Sequence, residues 1–429
     1  MKTISFILLL FSIAIFSCKK SHDEEMPSIS INSPTNGFQA DVYDTLHVNI
    51  HVSDNVALEN MHVQLVTTDM VPVLPAISLS PSGKSYDAIF DYVIDNFRIA
   101  SGNYYLSVDV SDGTNTARAY TNILVTGVPK ALKGFFVATI PTPGTLNVYK
   151  CDTSWNASLF SSAPSDFTDL AVSDYWQQVY VNGSFSGPLK ATSIDGSTIG
   201  FSIPSIVGSV PYWGPISPNG SRFWVTYRAL NQFKSLDETG NPNFTGNSDF
   251  GFYPKQILQN GNRIFTEQKD ISSSAVRMVV FSTAGGALQE SPMSVDVVGM
   301  YTKDADNIYV VGNAAGQAHL LIYDFLANGF WEPISLPAGT VTSATQIDSN
   351  SLLIGMSNGT VYKFTYLPVG LLTWTSGINP TQIRYDEVND EVYAAEGTNV
   401  KVYNLNPFSL QRTVLLPDSV RDLEIWFNW

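Results

Sequence analysis

Basic residues, histidine and cysteine are all scarce in this chain, and each scarcity closes off a class of function. Lys and Arg number 23 against 38 Asp and Glu, a formal charge of -15 over 429 residues. A phosphate backbone demands clustered cations, so nucleic acid is excluded as a partner. Five histidines, His22, His47, His51, His62 and His319, leave little for a Ser-His-Asp relay or a histidine-rich metal centre. The two cysteines, Cys18 and Cys151, supply no disulfide framework. Cys151 follows Val148-Tyr149-Lys150 at the end of a strand-like run and reads as a buried thiol, because no base accompanies it. Also missing, after the first residues, is any stretch that keeps apolar residues at a 3.6-residue period over three turns. Charged residues make up only 14% while aromatics reach 12%, so an all-β chain with almost no helix is expected.

What is present begins with a leader. Lys2 provides a positive start, residues 4–16 are apolar but too short to span a bilayer, and Ile15-Phe16-Ser17-Cys18 ends the run. This boundary resembles the lipobox of bacterial lipoproteins, although Phe16 is bulkier than the small residue usual there. The following Lys19-Lys20-Ser21-His22-Asp23-Glu24-Glu25 resembles the tether of Bacteroidota-type surface lipoproteins. The resemblance implies a signal peptide over 1–17, acylation of Cys18, a tether over 18–26, and attachment to the outer membrane through the lipid. The cell surface is the expected side, with the periplasmic face as the alternative.

Residues 27–126 alternate with period two. Leu46-His47-Val48-Asn49-Ile50-His51-Val52 sets its aliphatics on one face, Met61-His62-Val63-Gln64-Leu65 does the same, and residues 102–113 repeat it. Six or seven such strands imply an immunoglobulin-like sandwich. The block resembles the Ig-like modules that follow the anchor in many such lipoproteins, where they act as spacers.

Residues 131–429 carry a repeat. Strand centres recur at Val137, Tyr180, Trp224, Phe265, Tyr309, Leu353 and Tyr393, about 40 to 44 residues apart, the period of four-stranded propeller blades. The seventh copy is split. Residues 420–426 read as a first strand with nothing after it, and residues 134–149 as second and third strands with nothing before them. Joining the two ends gives a closed seven-bladed β-propeller, with six or eight blades as alternatives. It resembles the WD-repeat and YVTN-like class, without the Trp-Asp and Gly-His pairs of WD repeats.

Chemistry is sparser than fold. His47 and His51 share the outward face of one strand and His62 points out from the next, but in an Ig-like topology those strands belong to opposite sheets, so no metal site is expected. Asp304, Asp306, Asp386, Glu387 and Asp390 fall in turns, where Asp serves backbone geometry, and Asp304-Ala305-Asp306-Asn307 is too short for a calcium loop. His319 falls on a third strand, away from the axis. Asp166, Asp169, Asp422 and Glu424 lie near the starts of innermost strands and are the candidates for a carboxylate-based glycan hydrolase or lyase. The favoured reading is a non-catalytic propeller that binds a glycan or a protein with no cofactor and no metal. Its expected ligand face carries Trp213, Tyr253, Lys255, Gln382 and Arg421, with Tyr227 and Arg228 on a neighbouring loop, the alternative being that Trp213 and Tyr253 simply pack between blades.

Overall fold

The computed structural model describes residues 24–206, 208 and 210–428. The leader, Cys18 and the start of the tether lie outside the described residues. Two compact units are present, one ending at Pro129 and one beginning at Lys130. Among the described residues the only helical element is the 3-10 turn Arg228–Leu230.

The first unit is a two-sheet sandwich. Strands Ser28–Ser33, Thr45–Ser53 and Ser85–Val93 form one sheet, and Phe38–Asp41, Thr116–Thr126, Gly102–Ser111, Asn60–Thr67 and Ile77–Leu79 form the other, in that spatial order. Alternation decides which side chains go inward: Leu46, Val48, Ile50 and Val52 from one sheet meet Met61, Val63 and Leu65 from the other in a single core. Each such aliphatic stabilises the unit by about 1.5 to 3 kcal/mol through burial. The outward histidines sit on different sheets and each has a local partner. His47 Nδ1 lies 2.6 Å from Asp91, His51 Nδ1 lies 2.7 Å from Asp87, and His62 Nδ1 lies 3.0 Å from Ser78 Oγ.

The second unit is a seven-bladed β-propeller: seven antiparallel sheets of four strands each. The first strands of blades 1 to 6 are Asp169–Ser173, Trp213–Asn219, Phe252–Asn260, Asp296–Thr302, Val341–Asp348 and Gln382–Asp386. Blade 7 is shared between the two ends of the unit. Val420–Phe427 is its first strand and pairs with Leu132–Thr142, with Leu423 opposite Val137 and Ile425 opposite Phe135. Thr145–Asp152 and Ala157–Pro164 complete it. The seven first strands contact one another in succession around the ring and so line its axis.

The repeat centres read from the sequence all fall on second strands, and Val137, Tyr180, Trp224, Phe265, Tyr309, Leu353 and Tyr393 are fully buried. A second strand has a hydrogen-bonded neighbour on each side and a blade on each face, which is why its aromatics recur. Cys151 is buried within the joint between blades 6 and 7, and burial pushes its thiol up to about 12, as befits an inert packing residue. Two of the turn acids brace their own turns, while Asp306 pairs with Arg263, Glu387 with Lys130, and Asp390 accepts the Tyr385 hydroxyl. Asp304 accepts the Asp306 and Asn307 N–H groups at 3.0 and 2.9 Å, and Asp386 accepts that of Val388 at 2.9 Å. His319 lies on the third strand Gln317–Asp324, 3.4 Å from Glu332.

Candidate functional site

Side chains of a first strand that point at the axis recur every second residue, so Gln382 and Arg384 face it together, as do Asp422 and Glu424. An axial cavity of about 370 Å³ results, lined from every blade: Asp169, Ile216, Gln256, Tyr301, Thr345, Gln382 with Arg384, and Glu424.

Arg384 organises one side of this cavity, and all five of its N–H donors are engaged. Nε and one Nη2 proton go to Glu424 Oε1 at 2.9 and 2.5 Å, and Nη2 also reaches Asp422 Oδ1 at 3.4 Å. Nη1 serves Gln382 Oε1 and the Ile383 carbonyl, both at 3.0 Å. Burial works against the guanidinium charge, but Glu424 and Asp422 outweigh it and hold the pKa above its ordinary value. The side chains of Arg384 and Glu424 each keep 24% of their surface because they face the cavity.

Asp422 is buried and bridges blade 7 to blade 1. Its Oδ2 accepts the Leu170 N–H of blade 1 at 3.1 Å, while Oδ1 accepts that of Leu423 at 2.8 Å. Asp169 carries the chain one blade further by accepting the Ile216 N–H at 2.6 Å. The Asp169 and Asp422 carboxyls hydrogen-bond each other. Burial, reinforced by the charge of Asp422, raises Asp169 well above the usual carboxylate range, so Asp169 is the member that keeps the proton. Three carboxyls therefore converge at the axis, each tied to the joint between blades.

Four cavity-lining groups from four blades keep unspent hydrogen-bonding capacity among the described residues. They are the Gln256 amide, the Thr345 hydroxyl, the Gln382 amide nitrogen and the second oxygen of Glu424. On the wall between blades 4 and 5 the Tyr301 hydroxyl donates to the Ala344 carbonyl at 2.6 Å.

The residues expected on the ligand face are dispersed. Gln382 lines the axial cavity. Trp213 does not face solvent: it is fully buried, edge-on to Tyr212 and Tyr227 with centroids 4.7 and 4.6 Å away, so it packs between blades and offers no face to a ligand. Tyr227 is buried beside it. Lys255 has spent its charge, lying 3.3 Å from the fully buried Glu267 and in closer contact with Asp296. Burial pushes Glu267 up to about 7, with Lys255 opposing the shift. Tyr253 and Arg228 line a separate pocket of about 230 Å³. Arg421 is exposed where the ladder skips a residue between Val420 and Asp422, so its side chain stands outside the pairing. Asp166 is a loop brace, accepting the N–H groups of Phe185, Ser186 and Gly187, and does not line the axial cavity.

Arg384, Gln256 and Tyr301 were not among the residues singled out from the sequence. Arg384 had a signal, since it lies two positions beyond Gln382 on the same strand and must share its face. Gln256 had none, because the ladder skips a residue between Pro254 and Gln256 and shifts the alternation.

No protein-family model and no curated protein matches the chain. Solved structures do. A protein from Lactobacillus plantarum aligns with TM-score 0.50 at 15% identity, over 69% of this chain and 99% of its own. A quinonprotein alcohol dehydrogenase-like protein from Bacteroides thetaiotaomicron gives 0.47 at 13% identity, over 92% and 99%. The β-propeller domain of Swd1 from Myceliophteria thermophila gives 0.47 at 10%, over 60% and 88%. At such identities the likeness concerns the fold alone.

Proposed function

We propose that this chain is a membrane-anchored lipoprotein whose propeller binds a glycan in its axial cavity without turning it over. The observation that carries the reading is the set of unspent polar groups on Gln256, Thr345, Gln382 and Glu424, which converge from four blades on one cavity. Alternating amide, hydroxyl and carboxylate groups match the donor and acceptor pattern of sugar hydroxyls, and a cavity of about 370 Å³ is in the range of small-ligand sites. The Arg384, Asp422 and Asp169 network supports a binding role, because its hydrogen bonds are committed to joining blades 6, 7, 1 and 2. A glycan array, followed by pull-down from native membranes, tests the reading. Binding that survives Gln382→Ala and Gln256→Ala together would remove it.

A second reading, a glycan hydrolase, is favoured by one observation: Asp169, Asp422 and Glu424 meet at the axis, and Asp169 holds a proton it could donate. Release of new reducing ends from an array-positive glycan, lost in Asp169→Asn, would establish it in place of the binding role.

The anchor rests on the leader and on Cys18. It makes the sandwich an Ig-like spacer between membrane and propeller, and it favours display at the cell surface. Cys18→Ser is expected to abolish fatty-acid labelling and to move the protein into the aqueous phase on detergent partition. A mutant that still labels would end the lipoprotein reading.

A further inference from the structure

The pocket beside Arg228 is built unlike the axial cavity. Arg228 begins the 3-10 turn between the second and third strands of blade 2, and its guanidinium crosses the start of that blade's first strand. Gly214 makes the crossing feasible, since a Cβ there would lie 2.7 Å from Arg228 Nε. Among the described residues this guanidinium has no hydrogen bond and no ion pair, and its Nε is buried without a partner. The acids whose charges act on it are Glu267, Asp169 and Asp296. None of them forms an ion pair with it: Glu267 engages Lys255 and the Val297 N–H through Oε1, Asp296 pairs with Lys255, and Asp169 is held by Asp422 and the Ile216 N–H. An unpaired, half-buried guanidinium is a costly arrangement unless an anion completes it.

Apart from the Asn231 amide, the rest of the pocket is mainly apolar. Val210, Pro211, Ile271 and the ring of Tyr253 form its walls, within about 230 Å³. Its mouth continues as exposed apolar side chains: Ile271 is 60% exposed, Leu230 42%, and Phe250 wholly so. The turns carrying them are held together, because Ser248 N–H donates to the Asn231 carbonyl and Ile271 N–H to the Gly251 carbonyl, both at 2.8 Å. A mainly apolar cavity with one unpaired guanidinium at its wall suits a carboxylate attached to an apolar group. The exposed Leu230 and Phe250 outside the cavity require a ligand that extends beyond it.

We propose that this pocket is a second binding site, separate from the axial cavity, for a polypeptide segment that presents a carboxylate beside an apolar side chain. Arg228 pairs with the carboxylate, and Val210, Pro211 and Ile271 receive the side chain. A sugar would leave these apolar walls unmatched, which sets this site apart from the one at the axis.

The probes are N-acetyl-leucyl-leucine, its C-terminal amide, and hexanoate, titrated calorimetrically against the full chain. The acid is expected to bind saturably and the amide about tenfold more weakly, the worth of a charge-assisted hydrogen bond. Arg228→Gln should erase that difference, and Ile271→Glu, an exposed substitution that leaves the fold alone, should weaken the acid. Thermal melts of both variants check folding, and Ile271→Glu carries the test if Arg228→Gln does not fold. Equal binding of acid and amide by the wild type, or no saturable binding of the acid, would overturn the site. Hexanoate matching the dipeptide would overturn its assignment to a polypeptide.

Discussion

Arg384 and Glu424 stand 40 positions apart and meet across the joint between blades 6 and 7, with Nε and Nη2 of the arginine both directed at Oε1 of the glutamate, at 2.9 and 2.5 Å. The pair does two things at once. It fastens the first strand of the closing blade to its neighbour, and it leaves the other Glu424 oxygen facing the cavity. Arg384→Met should therefore cost about 3 kcal/mol of stability, because Glu424 and the buried Asp422 lose their cation together. The double variant Arg384→Met, Glu424→Gln should recover part of that loss. Urea unfolding followed by tryptophan fluorescence measures the cycle, and an unchanged midpoint in Arg384→Met would show that the pair holds nothing.

Ring closure has a second clasp at the other end of the closing strand. Trp426 donates its indole N–H to Gln177 Oε1 at 3.0 Å, and Gln177 Nε2 returns a bond to the Phe427 carbonyl at 3.0 Å. Between the two clasps Leu423 is fully buried opposite Val137. Leu423→Ala should cost about 3 kcal/mol through the cavity it leaves. Removing residues 420–429 should give an aggregating chain, because the strand Leu132–Thr142 would lose its inner partner. A soluble truncation with an unchanged melting temperature would contradict closure.

Asp174 accepts the Phe427 N–H at 2.9 Å, and burial raises its pKa to about 7, against the pull of that bond and of Lys130. Its folded value lies above the unfolded one near 4, so the folded chain keeps a proton that the unfolded chain releases. Stability contributed by protonated Asp174 is complete below about pH 4 and is lost between about pH 4 and 7, with a constant penalty above. Asp174→Asn keeps the acceptor and removes the titration. Its stability relative to wild type should rise between about pH 5 and about pH 8 in urea unfolding, and an unchanged difference would show that Asp174 does not titrate in this window.

Much of this architecture was legible because it rests on periodicity. The two-residue alternation of residues 46–52 and 61–65 became the facing sheets of the sandwich, and the 40 to 44 residue recurrence became the second strands of seven blades. The half-units at the ends of the repeat revealed the shared blade for the same reason. Fourth strands such as Ile199–Ile203 and Gly329–Trp331 were harder to see, since they are short outer edges with little buried surface to impose a pattern. The site was legible only in part. Gln382, Asp169, Asp422 and Glu424 could be placed near the axis by strand position. Exposure could not be read: Trp213 starts a first strand as a ligand-binding aromatic would, yet it is buried in the core shared with blade 1. Arg421 stands outside the ladder for a related reason, because a one-residue skip reverses inward and outward and no composition signal marks it.

Occupation of the axial cavity is the centre of this account, and a plug tests it most directly. The oligosaccharide selected by glycan array would be titrated calorimetrically against wild type, Gln256→Trp and Trp213→Phe, each shown first to melt cooperatively. Gln256→Trp fills the cavity and should weaken binding at least about tenfold, whereas Trp213→Phe alters only the packing between blades and should bind as wild type does. Wild-type affinity in Gln256→Trp would place the ligand elsewhere and contradict the account.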